Sequence, residues 1–148
     1  MPKPYPTIIP GLRSPSEKTG GIVYFGRMLD KIRLNAEGKL PEEWAAMVGP
    51  GHEGSFDSRC CHFLGIGYAD LVEETLKGGS DDGLLEWAFA NGRKPDAEDI
   101  DVWNGFMTKR GWRDAASQRV KERLKEIGLE PHTVETMFEF IDLDEGRR

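Results

Sequence analysis

The residues with chemistry to offer are crowded into one stretch, Phe56-Asp57-Ser58-Arg59-Cys60-Cys61-His62, which holds both cysteines of the chain and one of its three histidines. The catalytic candidates are Cys61 or Asp57, with His62 as acid–base. A thiol becomes a nucleophile when a cation or a helix N-terminus lowers its pKa. Asp57, four residues before Cys61 on a helix, pushes the other way, and the sequence neighbours Arg59 and His62 do not face Cys61, since consecutive helix residues diverge. Cys60 shares a helix side with Phe56, Phe63 and Leu64, so it reads as a small buried apolar residue. Asp57 reads as a helix N-cap. Arg59 is the odd residue: a cation in a first turn opposes the helix dipole and calls for a carboxylate from another helix or an anionic ligand.

Cys-Cys-His lacks the spacing of a structural zinc site. His52, His62 and His132 would make one only if the fold brought them together, so neither metal nor cofactor is assigned.

The elements that must position these groups follow from periodicity and punctuation. Residues 1–20, with five prolines, predict an extended Pro-rich N-terminal arm. Ile22, Phe25, Leu29 and Ile32 predict a helix over 21–36 whose other side, Arg27, Lys31 and Arg33, faces solvent. Further helices are expected over 42–47, 57–64, 68–77, 81–91 (capped by Ser80), 97–109 (started by Asp96 and Asp99), 114–127 and 134–142 (capped by Thr133), most ending at a glycine. No alternating strand pattern stands out. The reading is an all-α, compact single domain of about seven or eight short helices over 21–143, with a tail over 144–148 that frays.

A chain of 148 residues buries roughly 70% of its unfolded surface and needs no metal or disulfide to hold a core. The net charge of −6 is uneven: residues 51–100 carry four bases and eleven acids, which argues against nucleic acid. The N-terminus lacks a signal-peptide apolar region, no run is long enough to span a membrane, and adjacent cysteines make no disulfide framework; a cytoplasmic protein is expected.

Trp103 and Trp112 flank Lys109 and Arg110, an arrangement that can stack and bind nucleic acid; Trp103, Phe106 and Met107 read more simply as core. Gly20-Gly21 before a helix offers at most a weak anion site.

Gly11-Leu12-Arg13-Ser14-Pro15, Arg27-Met28-Leu29-Asp30-Lys31-Ile32-Arg33, Phe56-Asp57-Ser58-Arg59-Cys60-Cys61, Trp103-Asn104-Gly105-Phe106-Met107 with Lys109-Arg110-Gly111-Trp112, and Phe140-Ile141-Asp142 with Asp144-Glu145-Gly146-Arg147 together resemble a bacterial family defined by domain of unknown function 5069. The resemblance spans nearly the whole chain and implies a small bacterial cytoplasmic protein. It brings no activity, cofactor or catalytic residue with it. The functional expectation is a binding module or adaptor for a small anionic ligand or a protein partner, met by Arg59, Arg27, Arg13 and Arg110. The alternative is an enzyme using Cys61 or Asp57 with His62.

Overall fold

A helix buried on every side organises the chain. In the computed structural model, which describes residues 4–51 and 54–148, α1 spans Phe25–Ala36, and nine of its twelve residues are buried. Phe25, Leu29 and Ile32 join the largest apolar cluster, as the periodicity predicts; Met28 joins them, and Ile22 does so from outside the helix. Arg27, Asp30 and Lys31 are buried too, and of the side expected to face solvent only Arg33 is partly exposed, paired with Asp81. Buried charge is tolerated only when paired, and each has a partner: Arg27 with Glu145, Asp30 with Arg13, Lys31 with Asp57.

The elements around it are β1 (Lys18–Thr19), β2 (Ile22–Val23), α2 (Glu42–Ala45), α3 (Phe56–Leu64), α4 (Tyr68–Leu76), α5 (Asp81–Asn91), α6 (Ala97–Lys109), α7 (Ser117–Glu126) and α8 (Met137–Asp144). The fold is all-α, with eight helices among the described residues. The small antiparallel hairpin, Lys18 opposite Val23 and Thr19 opposite Ile22, occupies positions expected to be arm and helix start. Gly20 and Gly21 both have positive φ, as a primed two-residue turn requires. Helix α6 serves the hairpin's backbone: Asn104 accepts from Val23 N and donates to Gly21 O, and the Trp103 indole donates to Val23 O. Trp103 also stacks on Phe63 at 4.7 Å. That half of the tryptophan-bounded stretch is structural.

Three caps differ from expectation or sharpen it. Asp96 and Asp99 form a reciprocal capping box. Thr136, not Thr133, caps α8 in a second box with Glu139, while the Thr133 hydroxyl donates to Glu130 O. Ser55, not Asp57, caps α3 by accepting from Ser58 N. Helix α7 starts at Ser117 because Asp114 spends its carboxylate on Gly111 N and Ala116 N in the preceding turn.

Two glycines permit close approaches. A Cβ on Gly92 would collide with the carbonyl oxygen of Leu64, where α5 meets the end of α3. A Cβ on Gly111 would meet Val120 at 2.7 Å and Met137 N at 3.1 Å, and its φ is +107°; there the Met137 amide donates to Arg110 O. Gly111 thereby brings the end of α6 to the starts of α7 and α8.

A second apolar cluster joins α7 to α8 through Val120, Leu124, Phe140 and Leu143, and a third holds Ile9 and Leu12 against Leu34. The tail expected to fray is anchored: Asp144 and Glu145 are each 5% exposed, Thr7 N donates to Asp144 O, and the Arg147 guanidinium donates to Leu12 O. No helix among the described residues is long and apolar enough to cross a membrane.

Candidate functional site

A cleft of about 460 Å³ opens where the three apolar clusters meet. Helix α1 and the residue before it supply its floor, Tyr24, Arg27 and Lys31; the start of α3 supplies Phe56, Asp57 and Arg59; α7 and α8 supply Arg119, Arg123, Met137 and Phe140.

The floor is two saturated ion pairs. Arg27 donates both terminal nitrogens to Glu145, at 2.7 Å each, and the Trp44 indole donates to the same carboxylate. Burial alone would lift the Glu145 carboxyl; the Arg27 hydrogen bonds and charge, helped by Trp44 and Arg147, outweigh it and hold Glu145 below the usual carboxylate range. Burial likewise pulls Arg27 down, but Glu145 more than offsets it.

Asp57 is the hub of the other pair. It is 1% exposed and accepts from the Tyr24 hydroxyl at 2.6 Å, from Lys31 Nζ at 3.0 and 3.1 Å, and from Gly49 N at 2.6 Å. Burial, and then the Asp57 charge, push the Tyr24 hydroxyl well above its ordinary value. Burial pulls the Lys31 ammonium down against the opposing pull of Asp57. Tyr24 reaches Asp57 from a left-handed backbone conformation, φ 76°, which costs an aromatic residue about 1–3 kcal/mol. The set ties α1, α3 and the loop at Gly49 together.

The rim is different. Four arginines stand there: Arg59, Arg110, Arg119 and Arg123. Arg59 and Arg110 both lie over the Phe106 ring, at 5.2 and 5.4 Å from its centroid. Arg110 pairs with Asp114 and Arg123 with Glu126, each at 3.4 Å and each within its own stretch of chain. Among the described residues Arg59 donates only to the carbonyl of Gly54, and neither it nor Arg119 has a carboxylate partner. Arg119 stands in the first turn of α7, whose N-cap Ala116 offers no side-chain acceptor. Two cations at helix starts, where the dipole disfavours them, thus face one cleft.

The sequence-predicted residues are therefore divided. Arg59 and Arg110 reach the cleft rim. Arg27 lines the cleft but is consumed by Glu145. Arg13 lies outside its lining and is held by Asp30 and Asp81, both at 2.7 Å. Cys60 is fully buried core. Cys61 is 6% exposed, and burial, then Asp57, push its thiol up to about 12, the reverse of activation. His62 and His132 are exposed; His52 lies outside the described residues, among which no group of three or more metal-ligating side chains gathers. Sequence reasoning missed Arg119 and Arg123. For Arg119 the signal is the one that exposes Arg59, a cation in a first turn, hidden once the helix start is placed at Asp114; Arg123 stands in the last turn of α7, where a cation suits the dipole, and carries no such mark.

Residues 9–147 match a family model described as a domain of unknown function, DUF5069. No curated protein matches the chain.

Proposed function

The chain belongs to the DUF5069 family, and we propose that it acts as a binding module for a small organic anion held in this cleft. One observation carries the reading. Of six cations lining the cleft, Arg27, Lys31, Arg110 and Arg123 have carboxylate partners, whereas Arg59 and Arg119 have none among the described residues. Both guanidiniums are forked donors suited to a bidentate anion. Beside them Trp44, Phe56, Met137 and Phe140 line the same space, which suits a ligand with an apolar body: pockets of this size bury most of a small molecule and orient it by a few polar groups. Arg110, braced on Phe106 next to Arg59, stands ready as a third donor.

The test is thermal shift against a panel of organic anions and their neutral analogues. An anion should raise the melting temperature in a concentration-dependent way, and Arg119→Ala, at an exposed position, should abolish most of the shift. A shift of undiminished size in both Arg59→Ala and Arg119→Ala would place the ligand elsewhere.

A further inference from the structure

We infer that the anionic group this cleft receives is a phosphate monoester carried on an apolar body, an inference that rests on the anion-binding reading above. Charge and donor number single out this group. A carboxylate carries one charge, which a single guanidinium neutralises. The rim presents four guanidiniums, two of them without a carboxylate among the described residues. The partners of the other two are weakly held: Arg110–Asp114 and Arg123–Glu126 are single contacts at 3.4 Å, with Glu126 about half exposed. Solvated pairs of that kind contribute little, so a ligand of higher charge density can draw both arginines away. A phosphoryl dianion, with near two charges and three acceptor oxygens at neutral pH, matches such a rim as a carboxylate does not. Phe106, beneath Arg59 and Arg110, braces two of the donors before the ligand arrives. The floor cannot share the work, because Glu145 and Asp57 already neutralise Arg27 and Lys31. The ester's organic part then lies against Phe56, Met137 and Phe140, within a space that exceeds what inorganic phosphate would fill.

Calorimetric titration of the whole protein with phenyl phosphate, benzoate and inorganic phosphate decides the matter. At pH 7.5 phenyl phosphate should bind at least about tenfold more tightly than either comparator, since charge-assisted contacts to the extra oxygens each count. Lowering the pH to 5.5 adds the second phosphate proton, whose pKa is about 6. The phenyl phosphate affinity should then fall severalfold while the benzoate affinity stays level. The described cleft lining contains no histidine to titrate in that window; its acids are Glu43, Asp57, Asp144 and Glu145. Arg123→Ala should weaken phenyl phosphate by about tenfold and benzoate far less. If benzoate binds as tightly as phenyl phosphate, or the pH change leaves both unmoved, the phosphate assignment falls and the anion reading stands. If inorganic phosphate matches phenyl phosphate, the apolar body is refuted. If no probe binds, both readings fall.

Discussion

The floor and the rim of one cleft use the same residue types to opposite ends. On the floor, Arg27 and Lys31 are buried and saturated, each closed by a carboxylate from a distant part of the chain, Glu145 and Asp57. On the rim, Arg59 and Arg119 are partly or wholly exposed and have no such closure among the described residues. A buried charge without a partner is too costly to persist, so the floor had to be completed within the fold. A solvated arginine carries no such obligation. The contrast separates cations that hold the protein together from cations left over for something else, a distinction that residue type alone does not make.

The sharpest way to break this comparison is to open the floor. Asp57→Ala strands the buried Lys31 ammonium, the Tyr24 hydroxyl and the Gly49 amide together, and should cost about 5 kcal/mol, read as a drop in the urea midpoint or outright loss of the cooperative transition. Should the variant prove too unstable to fold, Asp57→Asn, which keeps acceptor capacity but not charge, should show an intermediate loss. A loss under about 1 kcal/mol in Asp57→Ala would mean that water reaches the site and that the floor is no different from the rim.

Glu145→Gln comes next, at about 3 kcal/mol, because Gln still accepts one bond from Arg27. Its pH dependence carries a definite sign. Glu145 is held below its ordinary value of about 4.3, so its contribution is fully present above that pH and is lost as pH falls through the lower folded-state value. The stability gap between wild type and Glu145→Gln should therefore be constant above pH 5 and shrink in acid. A gap that widened on acidification would contradict the geometry.

How much of this was legible in the sequence follows the same division. Local signals worked where local chemistry decides: Ser80 and Asp96 cap their helices, and Gly65 and Gly92 end theirs. Even the missed hairpin had a local mark, since Gly20-Gly21 between Lys18-Thr19 and Ile22-Val23 is a turn pattern; strands of two residues are simply too short to alternate visibly. The floor was illegible for a different reason. That Arg27 and Lys31 are buried depends on Glu145 and Asp57, 118 and 26 residues away, and no periodicity within α1 reports such partners. The helix looked amphipathic because its polar residues are polar, not because they face water. Arg59 alone was found by a rule that survives tertiary context, its conflict with the dipole.

Rim substitutions should show the converse profile. Arg59→Ala gives up a cation–π contact and one weak bond to Gly54 O, about 0.5–1 kcal/mol, and Arg119→Ala should stay within about 0.5 kcal/mol of wild type. Both should nevertheless remove most of the ligand-induced thermal shift. Stability unchanged with binding lost is the signature of a cation not needed by the fold. Were Arg119→Ala to destabilise as much as Glu145→Gln, the rim would be part of the scaffold.

The smallest effect belongs to Cys61, and its smallness is informative. The thiol lies next to the floor, yet burial and the Asp57 carboxylate push it up to about 12, so the thiolate is scarce at neutral pH and the side chain is 6% exposed. Iodoacetamide labelling of native protein at pH 8 should be far slower than for a free thiol of pKa about 8.5, and should accelerate only at strongly alkaline pH. Denaturant should restore ordinary labelling of both cysteines, since the protection is a property of the folded floor. Rapid labelling of the native protein near neutrality would mean that neither burial nor the neighbouring carboxylate restrains the thiol, and the picture of a closed floor around Asp57 would fail with it.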